Sequence, residues 1–251
     1  MYLLGYDIGS SSIKAALVDA RTGDQLAVAQ SPESELEMLA VQPGWAEQYP
    51  ETWWANVCLA TQKLLQSTGI DPWQIKGIGI AYQMHGLVLV DENQEVLRPS
   101  IIWCDSRAVA IGEQAAEAIG REKCLQHLLN APGNFTASKL KWVKDHEPAL
   151  YERIHKIMLP GDYIAMRLTG EIRTTASGLS EGILWDFQEN TPAALVLDYY
   201  GFDKNLLPEL VGTFSVQGEV TATAAEATGL ASGIPVDYRA GDQPNNALSL
   251  N

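Results

Sequence analysis

The residues Asp7-Ile8-Gly9-Ser10-Ser11-Ser12-Ile13-Lys14 lie between two apolar segments of strand length, Tyr2 to Tyr6 and Ile13 to Val18, so the stretch reads as a hairpin turn. Gly9 is expected to take a backbone conformation closed to other residues. The N–H groups from Gly9 to Ser12 would then line a concave anion nest, with hydroxyls and Lys14 adding donors and charge. Such a nest suits phosphate. Asp7 would face it and hold Mg²⁺ through water, because this ion prefers carboxylate oxygens and keeps much of its hydration. A Ser/Gly-rich hairpin with a solvated aspartate is an equal reading of the same residues. The stretch is not a Gly-x-x-x-x-Gly-Lys-Ser/Thr loop, which requires a helix where a strand follows here.

Two further groups are placed to do chemistry. Gln83-Met84-His85-Gly86 is a polar turn between the apolar runs Ile75 to Tyr82 and Leu87 to Val90, the first of them of the kind buried on both faces of a sheet. Near the end of the chain, Ala240-Gly241-Asp242-Gln243 follows a strand that starts after Pro235. Asp242 there has two compatible readings, an acid–base carboxylate or the N-cap of a helix beginning near Pro244.

The elements that must position these groups follow from pattern. The two opening strands continue into a third at Gln25 to Gln30, making an antiparallel meander. Trp53, Val57 and Leu64 recur at helical spacing after Pro50, with Gly69 as the stop and the tryptophans read as packing. Further helices are expected over Ala108 to Ile119, closed by Gly120, from Thr136, after Pro148, near Asn190 to Gly201, and over Thr223 to Gly229. A strand is expected over Lys156 to Leu159. Asp162 reads as the N-cap of a helix ending at Gly170. Residues 171–186 give no clear pattern, and there is no internal repeat.

The chain has 17 Lys plus Arg against 31 Asp plus Glu, a formal charge of −14, which argues against nucleic acid or an anionic membrane as partner. No run approaches 18 apolar residues and the start lacks a basic n-region, so neither a spanning helix nor a secretory signal is expected. Cys58, Cys104 and Cys124 are odd in number and widely spaced, as buried thiols in a reducing cytosol would be, and the expected location is cytoplasmic. His85, His127, His146 and His155 have no metal spacing.

Seven segments in register resemble the N-terminal half of the FGGY family of carbohydrate kinases, xylulokinases most closely. They are the Asp7-to-Lys14 turn, Trp45-Ala46-Glu47-Gln48, Gln83-Met84-His85-Gly86, Trp103-x-Asp105-x-Arg107, Phe135-Thr136-Ala137-x-Lys139-Leu140-x-Trp142, Leu159-Pro160-x-Asp162-Tyr163 and Ala240-Gly241-Asp242-Gln243. The resemblance implies an α/β, ribonuclease H-like fold of the actin and sugar-kinase superfamily, with the meander extended by parallel strands and flanked by helices. It implies that residues 1–251 are one N-terminal, sugar-binding domain, with a C-terminal nucleotide-binding domain outside this chain. The chain alone is then expected to turn over no sugar, and a homodimer is compatible with the family.

The implied activity is transfer of the γ-phosphoryl of ATP, with Mg²⁺, to a ketose, D-xylulose foremost. Ribulose, glycerol or another polyol, or a non-catalytic actin-like nucleotide-binding role, are the alternatives. Phosphoryl transfer needs the acceptor oxygen in line, phosphate charge neutralised, and a carboxylate to take the hydroxyl proton. The family's aspartate for that proton falls on Asp242. Met84, His85, Trp103, Asp242 and Gln243 are the implied sugar contacts, and Asp7, Gly9, Ser10, Ser11, Ser12 and Lys14 the phosphate and metal contacts. A neutral imidazole both donates to and accepts from vicinal hydroxyls, and a thioether covers a carbon chain. Arg107 reads as structural, while Asp105 is open between structure and substrate. Asn134 and Thr174-Thr175 depart from the family's usual residues, and Asp242-Gln243 is shared with glycerol kinases where xylulokinases often have Asp-Asn.

Overall fold

In a computed structural model describing residues 1–250, the opening strands are β1 (Tyr2–Ile8), β2 (Ile13–Asp19) and β3 (Gln25–Ser31), paired antiparallel in sequence as the meander requires. A short β4 (Glu47–Gln48) precedes α1 (Pro50–Thr68). Pro50 occupies the first turn of that helix, where its missing N–H costs nothing. Gly69 ends it in the left-handed region at φ 63°, its N–H donating to the Leu65 carbonyl at 2.9 Å. Trp53, Val57, Ala60 and Leu64 form one buried stripe of α1, which packs on β2 and β3.

The next strand, β5 (Ile75–Tyr82), is central: it runs parallel to β1 and, on its other side, to a strand from the far end of the chain. Between them come β6 (Val88–Val90), β7 (Ser100–Ile101), α2 (Val109–Ile119), α3 (Arg121–Leu128), α4 (Thr136–His146), α5 (Pro148–Tyr151) and β8 (Lys156–Met158). There follow α6 (Pro160–Thr169), β9 (Arg173–Thr175), α7 (Ala176–Glu181), β10 (Trp185–Asp186), β11 (Thr191–Pro192), α8 (Ala194–Tyr200), β12 (Glu209–Val211) and α9 (Ala222–Thr228). The last two elements are β13 (Val236–Gly241) and α10 (Asp242–Leu248). The main sheet has the order β13-β5-β1-β2-β3, three parallel strands continued by the antiparallel meander.

Two apolar cores result. One lies under the main sheet against α1 and α6, and the other gathers α2, α3, α4, α7 and α8. Strand β6 and the residue before it divide them by the two-residue period of an extended chain: Val88 and Val90 enter the first core, Leu87 and Leu89 the second.

Three expectations change. Helix α3 follows α2 directly after Gly120, whose φ of 102° makes a sharp corner that patterning did not disclose. Asp162 lies inside the first turn of α6, its carboxylate accepting from the Leu159 N–H at 3.2 Å, so the helix begins earlier than an N-cap at 162 would set it. Residues 171–186, unreadable in isolation, carry β9, α7 and β10.

Candidate functional site

Register brings the chemistry together. Ile8 pairs with Tyr82 and Tyr82 with Gly241, so the carboxyl ends of β1, β5 and β13 stop in one row. The chain beyond each end carries one of the groups singled out above: the Gly9–Ser12 turn, the Met84-His85 turn and Asp242. A crevice at the carboxyl ends of parallel strands is where open α/β sheets bind ligands, because backbone and side chains there are free of the ladder.

At the first end, the Gly9 N–H donates to the Ser12 carbonyl at 3.1 Å, closing the turn. Gly9 therefore contributes no free donor to an anion, and its φ is not in the left-handed region, which corrects the expected reason for glycine. The reason is space: a Cβ at position 9 would fall 2.9 Å from the Ser12 carbonyl oxygen. Among the described residues, the N–H groups of Ser10, Ser11 and Ser12 meet no protein acceptor and remain for an anion. Lys14, directly across the ladder from Asp7, places its Nζ 3.4 Å from Asp7 Oδ2; both side chains are about half exposed, so the pair contributes little to stability. Gln48 braces the turn from behind, donating to the carbonyls of Ser10 at 2.7 Å and Glu37 at 3.2 Å while accepting from the Trp53 indole at 3.0 Å.

At the second end, His85 sits in the left-handed region at φ 61°, unusual for a residue with a Cβ. Its Nδ1 is 2.9 Å from the main-chain oxygen of Glu181, which can only accept, so Nδ1 carries the proton and Nε2 is left as an acceptor. Phe135 meets the ring edge-on at 4.4 Å. Burial drives the imidazole pKa down to about 4, with the nearby Lys139 ammonium adding to the effect, so the ring is neutral at ordinary pH. Lys139, fully buried, donates from Nζ to the carbonyls of His85 at 2.8 Å and Ile102 at 2.9 Å, tying the His85 turn to the Trp103 loop. Desolvation lowers that ammonium to about 8, against the pull of Asp105.

Trp103 is 53% exposed and its indole N–H donates to Ser10 Oγ at 3.2 Å, so it stands as an open wall beside the phosphate turn and not as the floor of an enclosed pocket. Asp105 and Arg107 are structural. The buried Asp105 carboxylate accepts from the Ala46 N–H at 2.6 Å and from Arg107, whose guanidinium also pairs with Glu47 at 2.7 Å and lies 3.8 Å over the Trp45 ring. With every lone-pair direction of Asp105 engaged within the protein, nothing is left over for a ligand. Asn134 donates to the Asp105 carbonyl and joins the same scaffold.

At the third end, Asp242 is the first residue of α10, after Gly241 at the cap position, and its carboxylate meets the Gln243 N–H at the start of that helix. The cap position itself thus falls on Gly241, one residue before the aspartate, and α10 begins two residues earlier than Pro244. Burial raises the Asp242 carboxyl pKa, opposed by the Gln243 N–H and reinforced by the charge of Asp7; the two carboxylates belong to the like ends of β1 and β13, with β5 between them. Two carboxylates are too few for a protein cage, and among the described residues no three His, Cys, Asp or Glu side chains converge on a metal position. They do fit Mg²⁺ held through water and phosphate oxygens, the usual habit of this ion. Gln243 is exposed on α10. A separate cavity of about 640 Å³, lined by Asp91, Arg153, His155, Lys156 and Asp203 among others, includes none of these residues.

The sequence pattern of the FGGY family of carbohydrate kinases, N-terminal domain, matches residues 2–249. This chain belongs to the FGGY family of carbohydrate kinases. It is 32% identical over its whole length to half of the xylulose kinase of Escherichia coli strain K12, and 35% identical over 94% of its length to 47% of the L-xylulose/3-keto-L-gulonate kinase of the same strain. Among solved structures it resembles the xylulose kinases of Rhodospirillum rubrum, with a TM-score of 0.90 at 32% identity over 99% of this chain and 50% of that one, and of Brucella ovis, with 0.87 at 32% over 97% and 49%. The chain spans about half the length of the curated relatives it matches. The ribonuclease H-like sugar-kinase fold expected from the motifs is the fold observed.

Sequence reasoning missed Glu181. It closes α7, is almost fully buried, accepts from the Tyr82 hydroxyl, and its Oε2 accepts from the His85 N–H at 3.3 Å. Burial raises its pKa to about 8, opposed by the Tyr82 and His85 hydrogen bonds and reinforced by Asp162 and Asp242. Nothing in the local sequence marks it, since its partners stand 99 and 96 residues away. A folded pKa above the unfolded one means stability that is fully present below pH 4.5 and is lost as pH rises through 8, up to about 5 kcal/mol in all. His85, with a lowered pKa, acts oppositely: its stability is present above pH 6.5 and lost as pH falls through 4. Glu181→Gln removes only the first dependence. Its melting temperature relative to wild type should therefore climb between pH 5 and pH 8 in thermal melts, and a pH-independent difference would exclude a protonated Glu181.

Proposed function

We propose that this chain is the sugar-side half of an ATP-dependent ketose kinase that converts D-xylulose to D-xylulose 5-phosphate. The observation that carries this reading is the pairing, across adjacent strand ends, of a neutral His85 whose Nε2 is free to accept a hydroxyl with a partly buried carboxylate at Asp242. Its support from similarity is the run of xylulose kinases about 32% identical over nearly the whole chain.

In this reading the ketose chain lies against Met84, with one hydroxyl donating to His85 Nε2 and its neighbours reaching Trp103 and Gln243. The terminal hydroxyl is oriented by Asp242. As that oxygen attacks the γ-phosphorus, the bond to the β,γ-bridging oxygen breaks, the proton passes to the Asp242 carboxylate and ADP departs. The N–H groups of Ser10, Ser11 and Ser12, with Lys14, steady the transferred phosphoryl group. Mg²⁺, held at Asp7, would supply neutralising charge to the phosphate oxygens. The adenosine contacts are proposed to lie in the half of the relatives that this chain does not span. No helix is long and apolar enough to cross a membrane, and Cys58, Cys104 and Cys124 are unpaired, but only Cys124 is buried and Cys104 is exposed, which corrects the expectation of three buried thiols; a reducing cytoplasm remains the proposed location.

The test is a sugar panel assayed by coupled ADP release on the full-length protein: D-xylulose, L-xylulose, 3-keto-L-gulonate, D-ribulose and glycerol. D-Xylulose should give the highest kcat/KM, and His85→Ala should raise its KM by about tenfold or more, the worth of a lost hydrogen bond to a buried site. A His85→Ala enzyme with unchanged sugar KM would remove the turn from the sugar site. The second reading is L-xylulose or 3-keto-L-gulonate, favoured by the 35% identity to the Escherichia coli enzyme named for them. The same panel separates the two.

A further inference from the structure

We propose that Glu181 is a positioning residue for the sugar step, holding His85 in its left-handed turn so that Nε2 alone is offered to substrate. The proposal rests on the reading of His85 as a sugar contact. A left-handed backbone is disfavoured for any residue with a Cβ, so a turn that must keep this conformation needs contacts that reward it and no other. Glu181 supplies two. Its carboxyl Oε2 accepts the His85 N–H at 3.3 Å, and its main-chain oxygen accepts Nδ1–H at 2.9 Å. Rotation of the ring would surrender the second bond, and relaxation of the backbone the first.

The carboxyl is itself anchored. Its other oxygen accepts the Tyr82 hydroxyl, and the Tyr82 ring lies against Gly161, where a Cβ would fall 2.1 Å from the ring. The same Oε2 stands 3.1 Å from the position a Cβ would take at Gly241, with Met84 Cγ 2.6 Å from that position. Glu181 therefore sits at the junction of β5 and β13, beneath Met84 on one side and the strand that presents Asp242 on the other. The uncharged form favoured by burial keeps a hydrogen-bonding wedge there without placing a second full negative charge beside Asp242.

Acting through His85 and not through its other neighbour Met84, Glu181 makes a definite kinetic prediction. In the full-length protein, assayed with the panel's best sugar and MgATP, Glu181→Leu should raise sugar KM at least tenfold while kcat and the KM for ATP change less than about threefold. Glu181→Gln, which keeps an acceptor of the same shape, should stay within about threefold of wild type. The double variant Glu181→Leu/His85→Ala should be no worse than His85→Ala alone, since the second lesion has nothing left to misplace. Should Glu181→Leu fail to fold, Tyr82→Phe, which removes only the anchoring hydroxyl, should still raise sugar KM by about threefold and likewise add nothing to His85→Ala. Multiplicative effects in either pair, or an unchanged sugar KM in both Glu181→Leu and Tyr82→Phe, would overturn the role of Glu181. An unchanged sugar KM in His85→Ala itself would instead overturn the sugar reading of the turn.

Discussion

Asp242→Asn in the full-length protein is expected to lower kcat by about 10²- to 10⁴-fold while changing the KM of the sugar by less than about threefold. Asn keeps the size of the side chain and can still accept a hydrogen bond from the acceptor hydroxyl, so ground-state binding survives. What it cannot do is take the proton as the phosphoryl bond forms. Asp242 forms no ion pair, and Asn keeps an oxygen that can accept from the Gln243 N–H at the start of α10, so the local structure is expected to survive the substitution. Steady-state kinetics by coupled ADP release, with melting temperature as a control, decides the matter. Turnover within about threefold of wild type would place the base elsewhere, and Asp7 would be the next carboxylate to try.

The second large effect is on stability. Arg239 and Asp162 form an ion pair at 2.8 Å with both side chains almost wholly buried. Asp162 also accepts from Thr174 Oγ1 at 3.0 Å and from the Leu159 N–H, and Arg239 donates to the Arg173 carbonyl, so the pair ties β13 to the start of α6 and to β9. Removing one member of such a pair leaves the other charged, buried and unmatched, which costs about 3–5 kcal/mol. Arg239→Met in this chain should therefore lower its melting temperature by about 10 °C, and Arg239→Met with Asp162→Asn should recover part of that loss. A drop of less than about 2 °C would show that the pair adds little to holding β13. The consequence reaches catalysis, because Arg239 is three residues before Asp242 on the strand that delivers it.

Local pattern was enough for much of the architecture. The meander, α1 with its proline start and glycine stop, the buried central strand and the Gln83–Gly86 turn all follow from side-chain period and from the backbone preferences of Gly and Pro, which act within a few residues. The order of the seven motifs carried the family. His85 was legible as a candidate because it stands in a polar break after an apolar strand, and a break of that sort shows in sequence; Asp7 lies within β1 and Asp242 follows a strand carrying Asp237 and Arg239, so those two were marked by their motifs.

What the tertiary structure alone decided concerns groups whose meaning depends on distant partners. Parallel pairing of β13 with β5, across more than half the chain, puts Asp242 beside the His85 turn, and no periodicity encodes which strand will be neighbour to which. Asp105 could not be divided between structure and substrate until Arg107 and the Ala46 N–H were seen to consume its oxygens. Glycine at position 9 is required by the space beside the Ser12 carbonyl and not by its φ, and that space exists only once the turn has closed. Lys139 and Glu181, a cation and an acid of the commonest surface types, are buried because His85, Ile102 and Tyr82 offer them bonds from far along the chain. Burying a charge or a polar group is decided by the partners that satisfy it, and those partners are assembled only when the chain has folded.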